Sequence, residues 1–296
     1  MNRRFVRRAE GFAPHLLIAI RLVIGLLFLQ HGAEKLWGFA GGRIDHNFAS
    51  LHGFAGPLEV VGGTFIALGL FTRTTAFILC GEMAIAYFRS WAPRGFFPIQ
   101  NGGEEAVLFC FVYLWLVTAG AGMWGLDRLI ERRRSSLEQM VTSWEGYGRS
   151  ILRIILAFTF TLHGFRLALG QFPPVAGRRR ALLMALDLLP GMLGCWEILG
   201  GILLFLGLLT RPAAILSSIS ALAAYAYGAA PRGLWPIRNG GNETLIYACV
   251  FLYLAAAGAG IWSLDCVVEK LRGREKEAEP VELKTTSSTV ADSGRH

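Results

Sequence analysis

Residues 93–127 read PRGFFPIQNGGEEAVLFCFVYLWLVTAGAGMWGLD, and residues 231–265 read PRGLWPIRNGGNETLIYACVFLYLAAAGAGIWSLD. The two stretches stand at a constant offset from Pro93/Pro231 to Asp127/Asp265 (231 − 93 = 138). Each joins a Pro/Gly loop to Asn-Gly-Gly-x-Glu, a long apolar run and Gly-Ala-Gly-x-Trp-x-Leu-Asp. Apolar bias can align hydrophobic residues by chance. It does not also align Pro, Arg, Asn, Gly, Glu, Trp and Asp. The chain is therefore a duplicated unit, and its fold must hold that unit twice.

The medium of the fold follows from the apolar runs. Hydrophobic residues make up 53% of the chain, charged residues 17%, and the mean hydropathy is +0.45. A soluble core cannot hide that much apolar surface, whereas a bilayer can, and runs of ~20 apolar residues are the mark of membrane helices. The sequence predicts helices over about 15–36, 56–71, 75–91 and 104–123, repeated over about 149–169, 190–209, 212–229 and 242–261. The expected fold is an all-α integral membrane protein of two parallel four-helix repeats, about eight transmembrane helices in all. The parts are a basic arm (1–14), a first unit (15–127), a basic amphipathic linker (128–148), a second unit (149–265) and a polar tail expected to be disordered (266–296).

The net charge of +8 lies mostly in short arginine clusters between and beyond the apolar runs. Such clusters report topology before they report nucleic acid, and no nucleic-acid module is present. An even number of spans per unit makes the repeats parallel and puts the N-terminus, the Arg73 and Arg211 turns, the linker and the C-terminus on one side. The basic bias makes that side cytoplasmic, with Arg178–Arg180 standing against it. Five cysteines (Cys80, Cys110, Cys195, Cys249, Cys266) form no Cys-x-x-Cys, and the expectation is that they pack as small hydrophobes.

Ionisable groups at membrane depth cost about 2.5–3.5 kcal/mol each on insertion scales, so they call for partners or a purpose. Several recur in both units: Arg21 with Arg153, His31-Gly32 with His163-Gly164, Glu59 with Glu197, Asn101 with Asn239, and Glu105 with Glu243. Topology puts His31, Glu59, Asn101 and Glu105 at one depth, toward the face opposite the arginines. They read as a proton-transfer cluster of His31, Glu59 and Glu105, with a second copy in His163, Glu197 and Glu243. A structural reading is also open, in which Glu105 and Glu243 favour a helix dipole and Asn101 and Asn239 act as caps. Glu82 has no counterpart, since Ser220 stands at its place in the second unit, and Arg21 or Lys35 are its candidate partners.

At these residues the chain resembles the DoxX family of small four-helix membrane proteins. The resemblance rests on Arg21…His31-Gly32-x-x-Lys35, Glu59-x-x-Gly62-Gly63, Thr72-Arg73, Asn101-Gly102-Gly103-x-Glu105 and Gly120-x-Gly122-x-Trp124-x-Leu126-Asp127, each with its counterpart in the second unit. It departs at Leu167, where the first unit has Lys35, and at Asn242, where it has Glu104. The resemblance implies work beside quinone-linked oxidoreductases in a bacterial inner membrane, in company with other membrane redox subunits. A quinone would then meet Lys35, Asn101 and Asn239. The tandem pair implies a dimer fused within one chain. A small-solute carrier or channel and a non-catalytic assembly scaffold are the alternatives. No Cys/His spacing suggests a metal or haem site.

Overall fold

Ser50 opens a helix by accepting a hydrogen bond from Gly53 N at 2.9 Å, and Gly69 closes it in the left-handed region (φ 68°). The computed structural model describes residues 3–42, 44, 47, 50–130, 135–168 and 188–278. Within them every regular element is a helix. In the first unit these are α1 (Arg3–Trp37), α2 (Leu51–Leu68), α3 (Thr72–Ala86), the short α4 (Pro98–Asn101) and α5 (Glu104–Ala119). The linker holds α6 (Asp127–Ile130) and α7 (Ser136–Ser143). The second unit holds α8 (Glu145–Ala168), α9 (Leu188–Leu206), α10 (Thr210–Ala224), the short α11 (Pro236–Asn239), α12 (Asn242–Ala257) and α13 (Leu264–Ala278). Among the described residues, four helical stretches are long and apolar enough to cross a membrane: Val6–Trp37, Leu51–Leu68, Glu145–Ala168 and Thr210–Arg232. Large apolar side chains such as Leu26, Phe77, Ile85, Leu216 and Ile219 lie exposed on their outer faces, as suits an integral membrane protein.

Several boundaries differ from the sequence expectation. The basic arm is helical from Arg3 and continuous with α1. The second unit's first helix begins at Glu145, ahead of the expected Arg149, and the linker before it holds a separate helix, α7, opened by the Ser135/Glu138 capping box. Helix α13 runs to Ala278, into the segment expected to be disordered, since its Glu, Lys, Leu and Arg content favours a helix. Asp45, His46, Arg132–Arg134, Arg178–Arg180 and residues 279–296 lie outside the described residues.

Packing follows a closed circuit. Helix α1 lies on α2, α2 on α3, and α3 on α5. The second unit repeats this with α8 on α9, α9 on α10 and α10 on α12. The units then interlock, α1 packing on α12 and α5 on α8. Each unit's first helix thus lies against the other unit's last. This pseudo-symmetric exchange makes the pair one body rather than two self-contained bundles. Glycines set the tightest seam. A Cβ at Gly32 would stand 2.6 Å from Val60 N, and one at Gly63 would stand 2.8 Å from Gly25 O. Backbone therefore meets backbone between α1 and α2. Aromatic rings fill the centre. Phe28 packs on Phe109 and Tyr113, Phe160 on Tyr247 and Phe251, and Trp115 meets Tyr253 across the unit boundary at 4.8 Å.

Candidate functional site

The repeated polar residues divide into two classes by what they bind. The first class binds backbone. Arg21 donates to Ala121 O and Trp124 O, and Arg153 to Leu204 O, Phe205 O and Trp262 O. Arg73 donates to Val117 O and Thr118 O, and Arg211 to Ala255 O and Ala256 O. These guanidiniums satisfy carbonyls that helix ends leave open. Asp127 accepts from Phe71 N and Thr72 N, and Asp265 from Leu209 N and Thr210 N at 2.9 and 2.8 Å. They hold Phe71 (φ 45°) and Leu209 (φ 49°) in the left-handed region, where a side chain costs about 1–2 kcal/mol. The Gly-Ala-Gly-x-Trp-x-Leu-Asp motif is thus a clamp on the turn between the second and third helices of each unit.

Asn101 and Asn239 belong to the same class. Asn101 donates to Gly95 O at 2.9 Å and Tyr87 OH at 3.2 Å, and accepts from Gly103 N at 2.8 Å. Asn239 repeats the pattern with Gly233 O and Gly241 N, both at 2.8 Å. Each amide is buried and braces its own loop. The hydrogen bonds of these two asparagines run to their own loops and to Tyr87, not to the ionisable side chains.

The second class binds other side chains. His31 and Lys35 stand one turn apart near the end of α1, Glu59 faces them from α2, and Glu105 sits in the first turn of α5. Lys35 Nζ pairs with Glu59 Oε1, and His31 Nε2 lies 2.9 Å from Glu105 Oε1. A residue from the other unit completes the group: Asn242 Nδ2 lies 3.0 Å from His31 Nε2 and donates to Glu105 Oε1. Glu105 therefore collects donors from both units, with the ring proton assigned from this network. Glu59 Oε2 and Asn242 Oδ1 are buried acceptors with no donor among the described residues. Phe109 closes one side with its ring edge-on to His31 at 5.9 Å.

The second cluster has the same plan with different pairings. Leu167 stands where Lys35 would, so no lysine reaches Glu197, and His163 takes its place (Nδ1 to Oε2, 2.8 Å). Glu104, the counterpart of Asn242, crosses into this cluster and accepts from Tyr247 OH at 2.6 Å. Coulombic interactions tie Glu104 to His163, Arg166 and Glu197, and Glu243 to Glu104, Glu105, His163 and Arg166. The two clusters are therefore continuous across the pseudo-twofold axis, and the variable residue of each Asn-Gly-Gly-x-Glu motif serves the opposite unit. Sequence reasoning marked positions 104 and 242 as a departure and missed them as site residues, along with Tyr247. The offset aligns the copies but does not say which copy a helix start faces.

Glu82 pairs with neither candidate. Arg21 is held on carbonyls and Lys35 on Glu59. Both Glu82 oxygens are buried without a hydrogen bond among the described residues, and Glu59 and Lys35 are its electrostatic neighbours. Among the described residues no group of three or more His, Cys, Asp or Glu is arranged to hold a metal ion.

Comparison with known proteins bears on the same two units. An uncharacterized protein of Haemophilus influenzae is 42% identical over 124 residues, which is 40% of this chain and 92% of that protein. An uncharacterized membrane protein of Mycobacterium tuberculosis is 30% identical over 43% of this chain and 88% of its own length. The inner membrane protein YqjF of Escherichia coli is 26% identical over 39% of this chain and 92% of its own. Each relative is thus matched over nearly its whole length by less than half of this chain. No solved structure matches. The DoxX family model matches twice, over residues 16–90 and 148–229, once in each of the units that the circuit of helices interlocks. The chain is a member of the DoxX family that carries two DoxX-like regions in tandem.

Proposed function

We propose that the protein is a quinone- or quinol-associated accessory subunit of a membrane redox complex. One observation carries the reading. The His31–Glu105–Asn242 group and the Lys35–Glu59 pair put donors beside two buried acceptors, Glu59 Oε2 and Asn242 Oδ1, that lack a donor of their own. A quinone head group offers two oxygens that accept hydrogen bonds, and a quinol offers two hydroxyls that donate them. The donor set and the orphan acceptors fit both forms. When bound, the group supplies two-electron, two-proton chemistry. His31 Nε2 faces the Glu105 carboxylate and Lys35 Nζ the Glu59 carboxylate, an arrangement that can hold and pass protons.

The aromatic packing below the cluster favours this reading over passage of a polar solute. Phe28, Phe109, Trp115, Phe160 and Phe251 are fully buried there, which leaves an apolar floor rather than a polar path. The finer architecture belongs to the same proposal: eight spans in two parallel four-helix repeats, termini in the cytoplasm of a bacterium, the chain in the inner membrane, and redox subunits as its partners. The name of the YqjF relative supports the inner membrane. The test is quinone retention. Protein purified in mild detergent should carry extractable quinone, and Glu105→Gln and His31→Ala should each weaken its binding about 10-fold or more, as loss of a charge-assisted hydrogen bond does. Wild-type retention in both variants would refute the assignment.

A further inference from the structure

Helices α3 and α5 carry a feature that the polar cluster does not use. Cys80 Sγ and Cys110 Sγ lie 3.6 Å apart across the α3–α5 interface, and Cys110 Sγ lies 3.5 Å from Cys80 O. The residues are 30 positions apart in the chain, so no local spacing announces the pair. A disulfide needs its sulfurs at about 2.05 Å, about 1.5 Å closer than the present contact. Both residues are half-buried, next to the lipid-exposed Phe77, Ile78 and Gly81 of α3. Their partial exposure beside these outward-facing residues puts them within reach of a lipid-soluble oxidant. The second unit has Ser218 and Ala248 at these positions, and the Ser218 hydroxyl donates to Ala248 O at 2.8 Å. The same helix contact is made there without thiols, so the packing does not require them.

We propose that Cys80 and Cys110 form a two-electron dithiol/disulfide site whose oxidant is a lipid-soluble quinone. The Cys80–Cys110 S–S bond forms and the two S–H bonds break. Both electrons and both protons pass to the quinone oxygens, giving one quinol per disulfide. The choice of oxidant rests on the quinone reading above; the thiol pairing does not. The product would pin α3 to α5 in the first unit alone.

The test uses the full chain in lipid nanodiscs with Cys195, Cys249 and Cys266 replaced by serine, leaving only the pair. Anaerobic decylubiquinone should consume both thiols, measured by maleimide gel shift, with one quinol formed per chain and a Cys80–Cys110 cross-linked peptide in the mass spectrum. Cys80→Ser and Cys110→Ser should each abolish the cross-link and quinol formation. Serine already occupies the matching position 218, so Cys80→Ser introduces a residue that this register accommodates. Free thiols after quinone treatment would overturn the proposal, whether or not diamide closes the bond. Quinone binding, measured in the same samples, separates the two readings. Binding without a disulfide sinks this inference and spares the proposed function. A disulfide with unchanged quinone binding in His31→Ala sinks the polar-cluster assignment and spares the dithiol.

Discussion

Replacing Lys35 with leucine would give the first cluster the residue that the second has at position 167. Glu59 is 2% exposed and Lys35 15%, so the substitution strands a buried carboxylate. Removing one partner of such a pair costs about 3–5 kcal/mol. The second cluster contains its own remedy, since His163 bonds Glu197 at 2.8 Å beside Leu167. His31 holds the matching place on α1 and can turn toward Glu59. A charge-assisted hydrogen bond of this kind returns about 1.5–3 kcal/mol, but Glu105 then gives up its His31 contact and keeps Asn242 as donor, so K35L should cost about 2–4 kcal/mol. K35L/H31A has no remedy and should lose the full amount. The expected coupling of about 1 kcal/mol corresponds to roughly 2–4 °C in Tm, on the scale for chains of 150–250 residues. Tryptophan fluorescence during heating in a fixed detergent, at one scan rate, measures it for the wild type, both single variants and the double. Additivity of the two single effects within about 0.5 kcal/mol would show that His31 does not replace Lys35, and the account of the unequal clusters would fall.

Two further predictions concern the scaffold. Asp127→Ala should destabilise by about 1–3 kcal/mol, since two helix-start N–H groups lose a charged acceptor. Phe71→Gly in that background should recover part of the loss by relieving the left-handed residue, and no recovery in thermal unfolding would refute the clamp. Gly32→Ala should cost about 1–3 kcal/mol, because its Cβ would meet Val60 N and Gly56 O, both backbone atoms. Gly81→Ala meets nothing within 4 Å and should be neutral or slightly stabilising. Equal Tm values for the two alanine variants would contradict the α1–α2 seam.

The parts of this molecule that could be read from the chain are those governed by local chemistry and by the constant offset. Apolar run length gave the helices. The repeat gave their order and the likeness of Asp127 to Asp265. His31, Glu59, Asn101 and Glu105 were expected together; His31, Glu59 and Glu105 meet, joined by Lys35, while Asn101 bonds within its own loop. What could not be read depends on rotation and neighbour choice. Arg21 and Arg153 look like membrane charges in a sequence, yet they bind carbonyls about 50–100 positions away. Asn101 resembles a ligand contact until Gly95 and Gly103 are seen to occupy its amide. Cys80 and Cys110 escape any search along the chain because a helix contact, not a motif, makes them neighbours.

The exchange of positions 104 and 242 gives the fusion a physical meaning. In a dimer of identical single units the residue donated across the axis would be the same on both sides, because a twofold interface repeats each contact. A tandem chain escapes that constraint. Here the first cluster holds Glu59 and Glu105 against Lys35 and His31 and receives a neutral amide from Asn242. The second holds Glu197 and Glu243 against His163 and Arg166 and receives a third carboxylate, Glu104. The first cluster also has Glu82 as an electrostatic neighbour of Glu59 and Lys35. Across the axis the second gains a carboxylate where the first gains an amide, with Tyr247 as that carboxylate's hydrogen-bond donor. The polar groups adjoin across the axis, so a proton gained or lost in one cluster is felt in the other through Glu105 and Glu243. Loss of Lys35's counterpart at Leu167 and gain of Glu104 are therefore two parts of one difference: each shifts the second cluster toward acid, and only a fused chain can confine that shift to one side.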